Sequence, residues 1–543
     1  MAAELLSVPS PSTSRLFCDD DARERILARH DDTLGAALHR RFIAVTDPDP
    51  APDGIAAGYC AAGHAIRAWL NDNAHHAQRS AARVAEVLDD RWPHVSNHVP
   101  DGVKLWDGDY KMIIRSDPAV GVAIALSYAG DRWDYDFRRR VARALITKGN
   151  ALIQGGGQGW TDQAVSNWHA NTRSAAGLCA LAAHGLVRQP EVDAILAQAK
   201  SGVDAFLATC GERGWHQESW HYYRNALGHH LLPFALAWRH RCDEEAFNDS
   251  PLPLMPLLFP FARVGDQAVL PHRQRPLANT HFHSGELLAG VGLVPSEYRA
   301  SLSWELQDRC GDEHGSGDWD VFHPHHALLG LLHMPAEGHN PGDELGHDWV
   351  DHAKGLYLWR HRFGLGGLLA VDANRASQPG TGRPSCAGAF TFAAGGAIWA
   401  AGATVSRPRR NDYNCTLSEE CETLAGATEL AHHSDGTGTG SLSLDMSAVH
   451  PDCPGQRHFA ISWSDAGEAE LRIEDRFSAP VQWHWHGPGI ATLSTDGWQV
   501  SQGAATMQVH VEHGGPVLIH QDHDGYRVEL RGRDVVVVAR VGP

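Results

Sequence analysis

The order of its secondary-structure patterns most limits how this chain of 543 residues can fold. Up to about residue 345, Ala- and Leu-rich segments with apolar residues three and four positions apart predict helices. After that point, short alternating runs bounded by Gly, Asp and Pro predict strands. Helices followed by strands indicate two domains rather than one interleaved α/β sheet. We therefore predict a helical domain over 1–345, with a helical arm over 1–54, and an antiparallel β-sandwich over 346–543.

The helical half has a recurring rhythm. Helical segments recur between about 117 and 333, separated by loops that contain Gly, Pro and Trp, without a residue-for-residue repeat. Helix pairs at this rhythm favour an incomplete α/α toroid or a solenoid. In the second half, GLYLWRHRFGLGGLLAVDA (355–373) predicts a strand pair, and VVVVARV (535–541) predicts a buried strand.

The charge balance bears on the class of partner. Formal net charge is −19 and the sequence pI is about 6.0. This balance argues against a nucleic-acid partner, because phosphate binding depends on clustered Lys and Arg. It does not exclude an anionic substrate, since one basic pocket on an acidic protein is enough to bind a carboxylate.

Cysteine usage and the N-terminus bear on the compartment. The ten cysteines form no Cys-x-x-Cys pair, so neither a zinc ribbon nor a redox motif is predicted. No signal sequence is visible, and no apolar run approaches membrane-spanning length, so no membrane partner is expected. Free thiols without a signal favour the cytoplasm, with a periplasmic or secreted location as the alternative if a signal has been removed. The oligomeric state is not predicted.

Two polar islands stand out in the helical half. GWHQESWHYYRNALGHH (214–230) contains two tyrosines, four histidines, one glutamate and one arginine. A second island, Ser-Asn-Trp-His, lies upstream at 166–169. We predict that the islands face each other across a cleft and carry out proton chemistry on a sugar acid.

The residue types suit that chemistry. Removing a proton from the carbon next to a carboxylate requires a group that neutralises the carboxylate, a base, and an acid for the departing oxygen. Asn167 suits the first role through directed hydrogen bonds. Tyr222 suits the others if nearby cations lower its pKa from about 10. His216, His221 and Arg224 supply local positive charge.

A structural alternative accounts for the same two residues. SNWHANTRSAAGL reads as a helix start, and Asn is a good N-cap. On this view Asn167 caps a helix that begins at Trp168, and Tyr222 packs in the toroid core.

The motifs, taken together, resemble a known family. Ser-Asn-Trp-His is followed by Glu218-Ser219-x-x-Tyr222-x-Arg224, and Tyr222 stands 55 positions after Asn167. With the opening SRLFCDDDARERILAR, the strand pair AGAFTFAAGGAIWAAG (387–402) and YNCTL (413–417), this order is similar to that of the heparinase II/III-like polysaccharide lyases. The likeness covers most of the chain.

The resemblance implies a fold, a reaction and residue roles. It implies an α/α toroid stacked on a β-sandwich, with an anionic uronic-acid polymer in the cleft, cleaved by β-elimination to an unsaturated uronide. Asn167 would neutralise the carboxylate, and Tyr222 would act as acid and as base. The assisting histidine would be one of His169, His216 and His229. The other positions predicted to bind substrate are Trp168, Glu218, His221, Tyr223, Arg224 and Arg383.

The chain departs from the family pattern in three places. GRPSCAGAF (382–390) lacks the sandwich histidine that many relatives use for catalysis or zinc, and Arg383 is the candidate to replace it. No acidic residue follows one turn after Asn167, and Trp220 replaces the proline of the tyrosine motif. No cofactor is therefore predicted; zinc is the alternative, although the histidine expected to bind it is absent from this stretch.

Two other functions remain open on the sequence. Asp318 and Asp320, with Glu218, would suit a toroidal glycoside hydrolase that acts on uronides through a carboxylate pair. The missing sandwich histidine would suit a catalytically inactive sugar-binding relative. Convergence of Asn167 with Tyr222 favours the lyase, and convergence of the carboxylates favours the hydrolase.

Histidine-rich segments have a metal interpretation and a packing interpretation. The two candidate metal sets are His281-x-His283 with Glu286, and His323-x-His325-His326. The packing interpretation places these histidines at helix ends or along the cleft. The segment Trp-His-Trp-His (483–486) predicts a strand with Trp inward and His outward, although it would also suit stacking on sugar.

Overall fold

The structure of the protein is a computed structural model. It describes residues 14–47, 56–91, 102–108, 110–155, 158–216, 223, 227–265, 267–268, 270, 284–310, 323–364, 366–373, 387–401, 414–417, 425–521 and 525–542.

The first part of the described chain is helical up to Leu345. The α-helices are α1 (Ala22–Ala28), α2 (Thr33–Thr46), α3 (Ala56–Asn71), α4 (Ala74–Leu88), α5 (Met112–Ala129), α6 (Tyr135–Gln154), α7 (Asn167–Ala183), α8 (Gln189–Leu207), α9 (Leu232–Arg241), α10 (Leu258–Ala262), α11 (Ser284–Gly290), α12 (Arg299–Cys310), α13 (Pro324–His333) and α14 (Pro341–Leu345). A π-helical segment, Leu227–Leu231, precedes α9, and a short hairpin, β1 (Arg263–Val264) with β2 (Gln267–Ala268), follows α10.

Local sequence signals explain where several helices begin. The side chains of Asp32, Asn73 and Asp134 accept main-chain N–H bonds at the starts of α2, α4 and α6. Proline occupies the first turn of α8, α9, α13 and α14, where its missing N–H has no helical partner to lose.

Helix α5 is the central helix of this part. Sixteen of its residues are buried, as expected for a helix that is apolar around its whole circumference. It crosses α3 at Gly58 and Gly121, where a Cβ on Gly121 would lie 2.1 Å from the carbonyl carbon of Gly58, so only glycine permits this approach. The segment 112–132 is long and apolar enough to cross a membrane, contrary to the sequence-based expectation, but 89% of it is buried inside the protein.

The second part consists of two antiparallel sheets. The five-stranded sheet has the order β3 (Asp348–Asp351), β4 (Leu356–Arg360), β5 (Leu368–Asp372), β6 (Ala389–Ala394), β7 (Ala397–Ala400). The ten-stranded sheet has the path β13-β14-β15-β17-β12-β11-β10-β9, with β8 paired to β12 and β16 paired to β17. Its strands are β8 (Thr416–Leu417), β9 (Thr428–Ser434), β10 (Gly440–Asp445), β11 (Gly455–Trp463), β12 (Ala469–Gly487), β13 (Ala491–Leu493), β14 (Gly497–Gln502), β15 (Ala505–His513), β16 (Leu518–Gln521) and β17 (Tyr526–Gly542).

The five-stranded sheet is shared between two hydrophobic cores. Leu356 and Leu358 of β4 belong to the core of the helices, whereas Tyr357 and Trp359 belong to the core between the sheets. Successive side chains of a strand point to opposite faces, so this sheet is the middle of three layers. Burial on both faces explains the nearly continuous apolar runs of β4 and β5.

The predicted fold class is confirmed: a helical toroid precedes an antiparallel β-sandwich. The strand pairs β4–β5 and β6–β7 and the buried strand within β17 are also confirmed. The last helix ends at Leu345 and the first sandwich strand begins at Asp348. The domain division at 345/346 stays a proposal, because the sheet that follows it shares its core with the helices.

One strand prediction is wrong in detail. Trp483 and Trp485 are buried as predicted, but His484 and His486 are buried too. Segment 414–417 runs beside β12 in the plane of the sheet: the main-chain N–H of His484 donates to the carbonyl of Cys415 at 3.0 Å, and Asn414 accepts from the main chain of His486.

Candidate active site

A hydrogen bond joins the polar island at 214–230 to the residue that precedes the island at 166–169. Nε2 of His216 lies 2.5 Å from the carbonyl oxygen of Val165, two residues before Asn167. A carbonyl only accepts, so Nε2 carries the proton of this bond. His216 is fully buried, and its ring packs against Phe206 with centroids 4.9 Å apart. The stretch that begins at Gly214 is therefore anchored beside the start of α7.

Asn167 is the first residue of α7, and its side chain is buried. The N-cap is Ser166, whose hydroxyl accepts from the main-chain N–H of Trp168 at 3.2 Å. The structural alternative in which Asn167 caps this helix is therefore wrong. The first turn of a helix has unpaired N–H groups and the positive end of the helix dipole, so Asn167 stands where a carboxylate is stabilised.

The ring of His169 lies between two main-chain carbonyls, and the neutral imidazole donates to one of them. Its Nδ1 lies 2.8 Å from the oxygen of Thr161, and its Nε2 lies 3.2 Å from the oxygen of Gly202. Burial lowers the pKa of His169 below its ordinary value. Because both ring nitrogens face main-chain oxygens, this position favours a role in joining α7 to α8 over a role at the substrate.

Tyr223 is anchored in the helical core. Its hydroxyl donates to the carbonyl of Met255 at 2.8 Å, and its ring lies 5.5 Å from that of Trp215. Burial raises the pKa of Tyr223 well above its ordinary value. Its surroundings therefore favour packing over substrate binding. Trp168, also predicted to bind substrate, is half-buried in the first turn of α7.

Several predicted site residues lie outside the described residues: Glu218, His221, Tyr222, Arg224 and Arg383. The backbone of His229 belongs to the π-helical segment, but its side chain is outside the description. Four residues of the metal and hydrolase alternatives lie wholly outside the described residues: His281, His283, Asp318 and Asp320.

The π-helical segment carries a buried polar group that the sequence reasoning missed. Nε2 of His230 lies 3.1 Å from Oδ1 of Asp117 in α5, and the hydroxyl of Tyr59 donates to the same oxygen at 3.0 Å. All three side chains are buried. Short π segments occur frequently at functional sites. The available sequence signal was a single carboxylate in the otherwise apolar segment SDPAVGVAIALSYAG.

The histidines at the start of α13 extend this buried group. The ring of His323 stacks on Tyr59 with centroids 3.8 Å apart. His326 uses both ring nitrogens: Nδ1 accepts from the main chain of His323, and Nε2 lies 3.1 Å from the carbonyl oxygen of Gly228. Within the described ranges, no group of three His, Cys, Asp or Glu side chains is arranged to hold a metal ion. The metal interpretation of this set therefore gains no support there.

Two further polar side chains lie on the same face of α7 as Asn167. Asn171 and Ser174 follow it by four and seven positions, which places all three on one helix face. Both are fully buried. Within the part of the chain that the structure describes, the amide of Asn171 and the hydroxyl of Ser174 have no hydrogen-bond partner. A buried polar group without a partner costs stability.

Replacing Asn171 by leucine is expected to raise the free energy of unfolding by about 1–3 kcal/mol, because a buried amide that has no partner among the described residues gives way to an apolar side chain of similar shape. Urea unfolding measures the change. Asn73→Ala is the control: Asn73 caps α4 by accepting from the main chain of His75 and His76, so its loss is expected to cost about 1 kcal/mol. Destabilisation by Asn171→Leu would contradict the prediction.

Solved structures with a similar fold include a heparan sulfate lyase and heparinases. A mutant of the heparan sulfate lyase HepC from Pedobacter heparinus has a TM-score of 0.55 and 8% sequence identity, covering 91% of this chain and 78% of that chain. A heparinase III has a TM-score of 0.53 and 10% identity, with coverage of 89% and 75%. A further heparinase III has a TM-score of 0.55 and 11% identity, with coverage of 92% and 80%.

The predicted resemblance to heparinase-like lyases is confirmed at the level of the fold. No protein-family model matches the sequence, and the search of curated proteins gives no match. At 8–11% identity the likeness concerns the fold alone, so the residue assignments stay predictions.

Proposed function

We propose that the protein is a polysaccharide lyase that cleaves a uronic-acid-containing polysaccharide or oligosaccharide by β-elimination. The observation that carries the proposal is the hydrogen bond between His216 and Val165, which joins the tyrosine-containing stretch to the start of α7. This contact lies in a fold shared with heparan sulfate lyase and heparinase III. It supports the predicted convergence of the two islands.

In this reaction a base removes the proton from the carbon that bears the carboxylate. The bond from the adjacent carbon to the glycosidic oxygen breaks, a carbon–carbon double bond forms, and an acid protonates the departing oxygen. We assign carboxylate neutralisation to Asn167, helped by the N-terminal end of α7, and both proton transfers to Tyr222. Water takes no part as a nucleophile.

The assisting histidine is assigned to His216 or His229. Both belong to the same stretch as Tyr222, and His216 is bonded to the segment that precedes Asn167. His169 is the weaker candidate, because its two ring nitrogens face the carbonyls of Thr161 and Gly202.

We infer an anionic polysaccharide as the substrate. The structural neighbours are named for heparan sulfate and heparin, which are such polymers. The formal net charge of −19 disfavours the approach of a polyanion, so binding depends on local cations. We assign this cationic role to Arg224 and Arg383. We assign the binding of sugar hydroxyls to Glu218 and His221.

A panel of uronans tests the proposal. The protein is incubated with heparan-like, chondroitin-like, alginate and glucuronan chains, and ultraviolet absorbance of the unsaturated uronide is followed. We expect absorbance to rise on at least one polymer, at an unchanged rate in EDTA, since the proposed chemistry uses no metal. Reducing ends without absorbance would favour the hydrolase. No product on any polymer would favour a sugar-binding protein.

A further inference from the structure

The sandwich reaches into the candidate active site at the turn between β3 and β4. Asp351 ends β3 and is fully buried. Its Oδ2 accepts from the main-chain N–H groups of Arg213 and Trp215, each at 3.1 Å, and its Oδ1 accepts from that of Lys354, also at 3.1 Å. One carboxylate therefore joins its own turn to the loop that leads into the polar stretch of the helical half.

The loop is shaped around this carboxylate. The main-chain N–H of Gly211 donates to the carbonyl of Trp215 at 3.0 Å, which closes the loop. A Cβ on Gly211 would lie 2.0 Å from both carboxylate oxygens of Asp351, so a side chain does not fit there. Gly214 has φ of +85°, which glycine adopts without strain.

A second contact joins the same two turns in the opposite direction. Oε1 of Glu212 in the loop accepts from the main-chain N–H of His352 at 2.7 Å. Each turn thus supplies a carboxylate to the main chain of the other. Hydrogen bonds to a charged acceptor are about twice as strong as neutral ones, so the two turns are bound as one unit.

The loop leads directly to the hydrogen bond between His216 and Val165. His216 follows Trp215, whose N–H is held by Asp351, and His216 is bonded to Val165 beside Asn167. Burial raises the pKa of Asp351, against the opposing effect of its three main-chain donors. An ionised carboxylate is costly to bury, and the three donors offset that cost only in the closed loop.

We propose that Asp351 is a positioning residue of the active site: it fixes the conformation of residues 211–215 and, through them, the placement of His216 beside the start of α7. The role in turnover rests on the proposed lyase function. The role in ordering the loop does not.

Two variants test the proposal, one at the carboxylate and one in the loop that it binds. Asp351→Asn removes the charge and one acceptor, and Gly211→Ala drives a methyl group into the carboxylate. Asp445→Asn is the control for the first, because Asp445 also ends a sandwich strand and caps its turn, by accepting from Ser447 at 2.9 Å. Gly159→Ala is the control for the second, because a Cβ there meets nothing within 4 Å.

Amide hydrogen exchange and steady-state kinetics are measured for all four variants. In Asp351→Asn and Gly211→Ala we expect exchange of the Arg213 and Trp215 amides to rise by roughly tenfold or more, as for the loss of a charge-assisted hydrogen bond. We expect kcat on the cleaved uronan to fall roughly tenfold or more, as for a reactive group held about 1 Å out of place, with KM changed by less than about twofold. The two controls should leave both readouts unchanged.

The outcomes separate the two proposals. Unchanged exchange at Arg213 and Trp215 in Gly211→Ala would overturn the positioning role, whether or not Asp351→Asn folds. Faster exchange with unchanged kcat would also overturn it, because the loop would then be ordered without consequence for turnover. If the wild-type protein cleaves no uronan, the lyase proposal fails, and the exchange data still decide whether Asp351 orders the loop.

Discussion

Replacing Tyr222 by phenylalanine is expected to lower kcat on the cleaved uronan by about 10²–10⁴, the contribution usual for a positioned general acid or base. The loss should be large because the proposal gives Tyr222 both proton transfers. KM should change little, since the phenol hydroxyl acts mainly in the transition state. Ultraviolet detection of the unsaturated uronide measures both constants.

The neighbouring tyrosine provides a matched control. Tyr223→Phe removes a hydroxyl that donates to the carbonyl of Met255 in the helical core. We expect this variant to lose about 1 kcal/mol of stability and to retain its kcat. Equal loss of turnover in both variants would indicate a structural effect, and full turnover in Tyr222→Phe would remove Tyr222 from the mechanism.

Asn167→Ala tests the assignment of carboxylate neutralisation to Asn167. Loss of a directed hydrogen-bond donor to developing charge typically lowers kcat by about 10²–10³. Alanine is accepted at the start of a helix, and the cap at Ser166 remains. Turnover close to that of the wild type would show that another group neutralises the carboxylate.

The fold was predictable because it depends on periodicity. Helical spacing up to residue 345 and two-residue alternation afterwards are properties of neighbouring residues, and they identify the type of each element. The three-layer arrangement was not predictable. Strand β4 contributes to two cores because helices pack on one of its faces and the ten-stranded sheet packs on the other. Its run of apolar residues indicates burial on both faces but does not show what packs on each.

The site was predictable only in part, for a similar reason. Motif spacing indicated that the islands at 166–169 and 214–230 belong together, and the His216–Val165 bond supports this. Which histidine lies between main-chain oxygens, as His169 does, depends on contacts with residues 161 and 202 that no local pattern encodes. The Asp117–His230 pair likewise joins residues 113 positions apart.

The role of Asp351 illustrates the limit most clearly. Its neighbours in sequence show only a strand end followed by a turn. Asp351 accepts hydrogen bonds from the main-chain N–H groups of Arg213 and Trp215, which lie more than 130 positions away in the sequence. These bonds form only because the sandwich packs against the helices. The sequence motifs of the proposed site therefore lie in the helical half, whereas Asp351, its proposed positioning residue, lies in the sandwich.

Removing the carboxylate of Asp475 is expected to cost the sandwich about 3–5 kcal/mol, since it leaves a buried guanidinium without its partner. Asp475 of β12 lies directly opposite Arg457 of β11, and both side chains are fully buried. Nη2 of Arg457 donates to Oδ2 of Asp475 at 2.9 Å. The guanidinium lies 5.4 Å from the ring centre of Phe459 and 6.0 Å from that of Trp483, so the variant would leave the charge among aromatic side chains.

Urea unfolding of Asp475→Ala measures this loss, and Glu470→Ala is its matched control. Glu470 also lies on β12 and pairs with Arg540 on β17 at 2.7 Å, but both side chains are half-exposed. An exposed pair contributes at most about 1 kcal/mol, so the two variants should differ by several-fold in their effect. Equal effects would mean that Arg457 finds other acceptors once the carboxylate is gone.

The double variant Arg457→Met/Asp475→Leu separates the cost of an unpaired charge from the value of the pair. Replacing both partners with apolar side chains removes the desolvation cost of the guanidinium and the carboxylate together. We therefore expect the double variant to recover most of the stability lost in Asp475→Ala. If it stays as unstable as the single variant, the pair itself stabilises the sandwich, and the donation from Arg457 to the carbonyl of Gly388 contributes to that stability.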